Sequence, residues 1–268
     1  MGEDEPRSFR PPSVSLTPSL SPPAALLRRC LGPRLSLVLP LCFLGAPATA
    51  RATGDDFLNE TLVAIPLGAR EIGVEFNADS RIDRDYRMQG WFTTEFEAGV
   101  SRALMLEGRA SYLNRGRGLE FAGWTGEGRL VAFEQGRMPL GMAAVVELES
   151  ETSAAKHLGT ERNVGFKAVA TRTFRDAWLA TANLGWQRAV VPTPRRGRTL
   201  ALGVRFPERA EVTYGFEYRH EWMERLIEYG PSLRLRLPNH MRLRLGGFMG
   251  EGARRYRFIA RAILETEL

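Results

Sequence analysis

Lysine, cysteine and long apolar runs are all scarce in this chain. Only Lys156 and Lys167 are lysines, so arginine supplies 35 of the 37 basic residues behind the formal charge of +6. These arginines are interleaved with glutamate along the chain instead of forming one basic run, which argues against a nucleic-acid partner. A dispersed arginine excess of this kind is typical of a GC-rich genome. No stretch approaches the ~20 consecutive apolar residues of a membrane-spanning helix.

Both cysteines, Cys30 and Cys42, lie within the first fifty residues. In that region a pair of arginines precedes an apolar run, and the small residues Ala48-Thr49-Ala50 follow it, which is the order of a secretory signal peptide. We therefore predict a signal peptide over 1–50, with a Pro/Ser-rich flank that is longer than usual. The remaining chain has no cysteine, so a disulfide framework and thiolate chemistry are excluded there.

From residue 70 onward, apolar and polar residues alternate with a period of two. In 71–78, for example, Ile, Val, Phe and Ala alternate with Glu, Gly, Glu and Asn. This period places successive side chains on opposite faces of a strand. With the weaker segments near 122–132 and 241–249 included, the pattern predicts about twelve strands over 70–268. A lead-in segment, 51–69, precedes them, and the sequence assigns it no role.

The links between these strands alternate in length. Short links follow the even-numbered strands, at 101–103, 135–139, 175–177, 207–210 and 238–240, and longer polar links follow most odd-numbered ones, at 79–89, 114–118, 150–162, 188–198 and 219–225. Outer-membrane barrels combine an even strand number with short periplasmic turns and longer external loops. The sequence therefore predicts an all-β transmembrane antiparallel barrel, exported through the periplasm into the bacterial outer membrane.

Aromatic residues on the apolar face are spaced like the two belts of a membrane barrel. Trp178 and Trp186 share a face, and Tyr214, Tyr218 and Trp222 repeat the pattern two strands later. At ~3.3 Å per residue and ~40° tilt, the two tryptophans are about 20 Å apart along the membrane normal. We predict that these five residues form an aromatic girdle in contact with outer-membrane lipid and lipopolysaccharide.

The opposite face is too charged for a dry core, because burying charges without partners costs several kcal/mol each. On this face the early strands contribute mainly glutamate and the late strands mainly arginine. When the sheet closes into a barrel, the glutamate-rich and arginine-rich strands lie opposite each other. We predict an acidic lumen wall of Glu95, Glu97, Glu107, Glu127, Glu147 and Glu149, and a basic wall of Arg205, Arg234, Arg236, Arg242, Arg244, Arg257 and Arg261.

Two stretches near the C-terminus resemble known barrels. Tyr256-Arg-Phe-Ile-Ala-Arg-Ala-Ile-Leu-Glu-Thr-Glu-Leu268 resembles the closing strand that the outer-membrane assembly machinery recognises, although Leu268 replaces the usual final Phe and Thr266 a hydrophobic residue. The hairpin Tyr229-Gly-Pro-Ser-Leu-Arg-Leu-Arg-Leu-Pro-Asn, followed by Met241-Arg-Leu-Arg-Leu-Gly-Gly, is similar to one in the porin-type barrels grouped with the phenol-degradation MetA-pathway proteins. The resemblance implies an outer-membrane barrel that the assembly machinery inserts, and it transfers no functional residues.

Three functions are compatible with such a barrel. Arginine tracks bind carboxylates and phosphates by forked hydrogen bonds, and a field across the lumen orders polar solutes. The sequence therefore predicts a passive channel for small polar, preferably anionic, solutes, and not an enzyme. If glutamates and arginines instead pair across the lumen, the barrel is closed and has a structural or surface-binding role. A hydrolase at the barrel mouth would need Asp83 and Asp85 to meet His157 or His220.

Cofactor and metal motifs are incomplete in this sequence. His220-Glu-Trp-Met-Glu224 lacks the second histidine of the zinc-protease H-E-x-x-H motif. Gly126-Glu-Gly128 lacks the remainder of a dinucleotide-binding motif. We therefore expect no cofactor and no metal.

Overall fold

The computed structural model describes residues 56–58, 61–64, 67–83, 87–116, 118–135, 138–152, 160–174, 177–191, 195–208, 210–223, 225–252 and 257–267. The predicted signal peptide over 1–50 lies outside these residues. So do Asp85 and His157 of the hydrolase alternative, and Tyr256 and Leu268 of the closing-strand resemblance.

The described part of the chain is built from strands, and it contains no helix long and apolar enough to span a membrane. In chain order the strands are β1 (Ile72–Ile82), β2 (Met88–Gly99), β3 (Leu104–Asn114), β4 (Leu119–Phe133), β5 (Gly141–Glu151), β6 (Glu161–Phe174), β7 (Trp178–Val191), β8 (Arg195–Phe206), β9 (Val212–Glu221), β10 (Leu226–Arg236), β11 (Met241–Gly252) and β12 (Phe258–Glu267).

These strands close into a barrel. Each strand pairs antiparallel with its neighbours in sequence, and β1 also pairs with β12. At this seam Gly73 faces Glu267, and Ile82 faces Phe258. Closure leaves no unpaired sheet edge, which a lipid environment requires because it cannot satisfy free backbone groups. The predicted twelve-stranded antiparallel barrel is therefore confirmed.

Several strands extend further than their apolar–polar alternation indicates. β1 continues to Ile82, β7 to Val191 and β9 to Glu221, each inside a stretch that the sequence predicts as an external loop. Beyond the lipid, water reaches both faces of a barrel strand, so polar residues follow one another while the backbone pairing continues. Alternation therefore reports the lipid-covered part of each strand and not its full length.

The outer surface of the barrel is apolar. Phe96, Leu130 and Val146, from three different strands, are exposed to 58%, 53% and 53%. The same outward parity exposes large apolar side chains on the other strands. Soluble monomers rarely expose a contiguous apolar patch of more than a few hundred Å². A belt of this kind is suited to contact with lipid.

The five predicted girdle residues lie on this outer surface. Trp178, at the periplasmic end of β7, stacks on Phe206 with ring centroids 4.4 Å apart. Trp222 follows the external end of β9, and its ring stacks on His220 at 4.4 Å. Aromatic side chains therefore stand at both ends of the outer face. Of the other three predicted girdle residues, Tyr214 and Trp186 are exposed and Tyr218 is half-buried.

Candidate functional site

Part of the N-terminal lead-in lies inside the barrel. We call its described residues, 56–58, 61–64 and 67, the luminal segment. Leu58 and Leu62 are 3% and 4% exposed, and Val63 is completely buried. So short a stretch without regular secondary structure cannot bury these side chains by itself; the barrel wall covers them. The sequence assigned this segment no role, and its position makes it the central feature of the lumen.

Asp56 is the ionic anchor of the luminal segment. Arg129 on β4 donates from Nη1 to Oδ1 of Asp56 at 3.0 Å and from Nη2 to Oδ2 at 2.6 Å. This bidentate geometry is the strong form of an arginine–carboxylate pair. The Asp56 carbonyl oxygen also accepts hydrogen bonds from Arg244 on β11 at 2.6 Å and from Arg205 on β8 at 3.4 Å. One residue thus connects three strands around the barrel.

Backbone groups of the luminal segment are bonded to side chains of the wall. The Leu62 N–H donates to Oδ1 of Asn183 at 2.6 Å, and the Leu62 carbonyl accepts from Nδ2 of Asn183 at 3.0 Å. The Leu58 N–H donates to Oε1 of Glu217 at 3.2 Å, and the Leu58 carbonyl accepts from Arg261. Buried backbone groups outside a sheet need such partners. The wall therefore supplies the hydrogen bonds that a neighbouring strand would otherwise provide.

Apolar positions on the inner face hold the side chains of the luminal segment. Leu62 packs in a buried cluster with Val145 and Val169 of the wall. Leu58 packs with Phe248, and Phe57 with Leu179, in two further clusters. If the lumen held only water, these apolar side chains of the inner face would be exposed to it. Their presence is explained by the segment that covers them.

Two wall glycines allow the luminal segment to approach closely. A Cβ at Gly99 would lie 1.9 Å from the carbonyl oxygen of Gly68, directly after the segment. A Cβ at Gly203 would lie 2.8 Å from the ring of Phe57. Any larger residue at these positions would displace the segment or the wall.

The predicted acidic-wall residues face the lumen from β2 to β5, and basic residues stand among them. Glu95, Glu97, Glu107 and Glu127 are buried, whereas Glu147 and Glu149 are half-buried. Arg109 on β3 lies 3.3 Å from Glu95, and Lys167 on β6 lies 2.7 Å from Glu147. The ion-pair partners of these carboxylates therefore include cations on the same side of the barrel.

The predicted basic-wall residues differ in depth. Arg205, Arg234 and Arg244 are buried, and Arg242 and Arg261 are half-buried. Each has a carboxylate partner: Glu208 for Arg205 and Arg234, Glu265 for Arg242, Glu75 for Arg244 and Asp79 for Arg261. Arg236 and Arg257 are exposed, at the periplasmic end of β10 and just before β12. Parity along a strand gives the side on which a residue lies, but not its depth.

A cavity of about 320 Å³ occupies the lumen on the external side of the luminal segment. Asp79, Trp91 and Arg219 line its outer part, and Asp56, Leu58 and Leu62 lie at its floor. Among the described lining residues, eleven carry carboxylates and six carry basic groups. The cavity is therefore acidic; of the arginines bonded to the segment, Arg244 and Arg261 line the cavity, whereas Arg129 and Arg205 do not.

The residues of the hydrolase alternative are only partly described. His220 lies on β9 with its side chain on the outer face, where its ring stacks on Trp222. Arg219 and Glu221, its two neighbours on the strand, line the lumen instead. The side chain of His220 therefore points away from the barrel mouth.

Comparison with known proteins identifies the fold. No family model matches the chain, and no curated protein does. A solved structure of KdgM porin in complex with disordered oligogalacturonate matches with a TM-score of 0.54 and 12% identity, covering 72% of this chain and 98% of that one. NanC porin matches with a TM-score of 0.51 and 7% identity, over 72% of this chain and 97% of that one. At these identities the likeness shows the fold alone, which is that of an outer-membrane β-barrel.

Proposed function

We propose that the barrel is a passive channel for small anionic solutes, and that the luminal segment closes it in the state described. The observation that carries the proposal is that this segment crosses the lumen beneath the external cavity. Its contacts reach the wall on β4, β7, β8, β9, β11 and β12. A segment that bridges opposite walls blocks the path, and its withdrawal would leave the space that it fills.

The anion preference would arise where the luminal segment is bound. Arg129, Arg205, Arg244 and Arg261 all donate hydrogen bonds to Asp56 or to the Leu58 carbonyl. Withdrawal of the segment would leave donor groups of all four directed into the lumen. The external cavity has more carboxylates than basic groups, so it does not favour anions itself. Selectivity would therefore be set at the depth of Asp56, where guanidinium groups attract carboxylates and phosphates.

The fold shared with KdgM and NanC porins is compatible with solute passage. We also propose that this chain groups with the porin-type barrels of the phenol-degradation MetA-pathway proteins, on the basis of the similar hairpin over 229–247. The assembly machinery and lipopolysaccharide are proposed as partners, because a barrel of this type must be inserted and then surrounded by outer-membrane lipid.

A closed structural barrel is the second candidate, and one observation favours it. The lumen is packed at the depth of the luminal segment, where Arg129 is completely buried and Arg205 and Arg244 are 4% and 3% exposed. In this alternative the segment never leaves, and the ion pairs serve only to satisfy the buried charges. The two candidates differ in whether removing the segment produces conductance.

Planar-bilayer recording separates them. We would compare the chain over 51–268 with the same chain lacking 56–64, after a mobility shift on unheated gels has shown that both fold. The full chain should open rarely, whereas the shortened chain should conduct steadily and give an anion-selective reversal potential in a salt gradient. Equal conductance of both chains would show that the segment is not a gate. No conductance from a folded, shortened barrel would establish the structural alternative.

A further inference from the structure

Three glutamates on adjacent strands converge inside the barrel. Glu95 and Glu97 lie on β2, Glu107 lies on β3, and one carboxylate oxygen of each lies within 4.8 Å of the others. All three side chains are buried. Like charges at this distance repel strongly where water is excluded. Arg109 contacts Glu95 and Glu107 and offsets part of this repulsion, so the charge that still needs a cation or a proton is that of Glu97.

Glu97 is the member without a partner. It is 3% exposed, and its Oε2 atom has no hydrogen bond and no access to solvent. No ion pair to Glu97 is found within the described residues. The residue opposite it on β1 is Gly73, which has no side chain to offer. A buried carboxylate without a partner is unfavourable, since its loss of hydration is not offset.

The surrounding network does not supply the missing positive charge. Ion pairs join Arg109, Arg129 and Lys167 to this network. These three cations face six carboxylates, those of Asp56, Glu95, Glu97, Glu107, Glu127 and Glu147. The described network therefore carries excess negative charge.

We propose that Glu95, Glu97 and Glu107 bind a calcium ion. Arg109 contacts Oε2 of Glu95 and Oε1 of Glu107, which leaves Oε1 of Glu95 for the ion. Oε2 of Glu107 lies 3.8 Å from Nη2 of Arg129, which is beyond hydrogen-bonding distance, so this oxygen can also turn to the ion. A site made only of carboxylate oxygens suits calcium, magnesium or manganese better than metals that prefer nitrogen or sulfur. Calcium accepts irregular, bidentate carboxylate sets, whereas magnesium requires near-octahedral geometry. Glu95 and Glu107 also line the external cavity, which provides a route of entry.

Sequence spacing could not indicate this site. Glu95 and Glu97 are two positions apart on one strand, and Glu107 becomes their neighbour only through the register of β2 and β3, where it faces Glu97. The ion would bind only to the folded barrel, so it would stabilise the barrel by mass action. This role is independent of whether the lumen conducts.

The test measures calcium binding and thermal stability on the refolded full-length barrel in detergent. After treatment with a chelator, the wild type should retain about one radioactive calcium ion per chain in equilibrium dialysis. Its Tm should rise by about 5 °C or more at a calcium concentration near one hundred times Kd. Glu97→Gln should abolish both effects, and its Tm without calcium should equal or exceed that of the wild type.

Glu149→Gln is the matched control, because Glu149 lies on the same side of the lumen but is bonded to Asn163 and Gln187. It should keep the calcium effect. A wild type that retains no calcium would overturn the proposal, with protons then holding the carboxylates together. So would an equal rise in Tm with magnesium chloride, which would reflect screening alone, or unchanged calcium binding by Glu97→Gln. The dialysis of the wild type decides the question even if that variant fails to fold.

Discussion

Oδ2 of Asp56 lies 2.6 Å from Nη2 of Arg129, a completely buried side chain 73 positions further along the chain. Arg129 also lies 3.2 Å from Oε1 of Glu127 on its own strand. The guanidinium group also lies 3.8 Å from Oε2 of Glu107, so it keeps two carboxylate neighbours if Asp56 moves away. A link of this kind can hold the luminal segment and still release it without leaving a buried charge alone.

Weakening this link should open the channel. In Asp56→Asn the side chain loses its charge and one of its two acceptor oxygens, while its size is kept. Hydrogen bonds to charged groups contribute about 1.5–3 kcal/mol, and each 1.4 kcal/mol is a factor of ten. We expect the open probability in single-channel recordings to rise by about tenfold to one hundredfold.

Asp83→Asn is the control for this variant. Asp83 accepts a hydrogen bond from the Arg87 N–H at 2.8 Å in the connection after β1, far from the luminal segment. Its open probability should equal that of the wild type. If Asp56→Asn also behaves like the wild type, the ion pair does not control opening.

Crowding the luminal segment at its end should have the same effect without any change of charge. In Gly99→Ala the new methyl group would collide with the Gly68 carbonyl oxygen, so the segment must shift. We expect the barrel to fold, as shown by its mobility on unheated gels, and its conductance to increase. Gly108→Ala, where nothing lies within 4 Å of the added Cβ, should leave conductance unchanged. Equal behaviour of the two variants would argue against gating by the segment.

The barrel could be predicted from the sequence because lipid on one side and water on the other impose a period of two on every strand. The luminal segment could not, because its apolar residues follow no period. One signal was present: Val145, Val169 and Leu179 are apolar residues on the face that otherwise carries charges. Together they indicate that something apolar occupies the lumen, although they do not identify it.

The pairing of charges was also beyond the sequence. Counting glutamates on the early strands and arginines on the late ones suggests two opposed walls. The structure instead pairs Arg109 with Glu95 across β2 and β3, and Arg129 with Asp56 of the luminal segment. Such pairs depend on strand register and side-chain reach, which the alternation of residues does not specify.

The two faces of the barrel should respond differently to the same added charge. Ala168, on the outer face near the middle of β6, is exposed to lipid. Ala168→Arg should lower the free energy of unfolding by about 2–4 kcal/mol, as lipid-facing arginine does near the bilayer midplane. Thr199→Arg, which projects into the external cavity, should cost far less. Urea titration in lipid vesicles measures both, and the reverse order of costs would contradict the assignment of the faces.

The arginines that are bonded to the luminal segment should set selectivity once that segment is absent. In the chain lacking 56–64, we would change Arg205, Arg244 and Arg261 together to glutamine. Each change removes one cation from a carboxylate neighbour, namely from Glu208, Glu75 and Asp79. Glu208 keeps Arg234 and Asp79 keeps Arg81. The lumen then becomes more negative, so the reversal potential in a salt gradient should shift toward cations.

The matched control for this triple variant is Arg236→Gln with Arg257→Gln in the same shortened chain. Both residues are exposed at strand ends, whereas the three arginines of the triple variant are bonded to the luminal segment in the full chain. Their removal should change the reversal potential far less than the triple variant does. The difference should shrink at high salt, because the screening length falls to about 3 Å at 1 M. If the triple variant kept the anion preference of its parent, the arginines that bind the luminal segment would not be the selectivity filter, and the preference would have to arise elsewhere along the lumen.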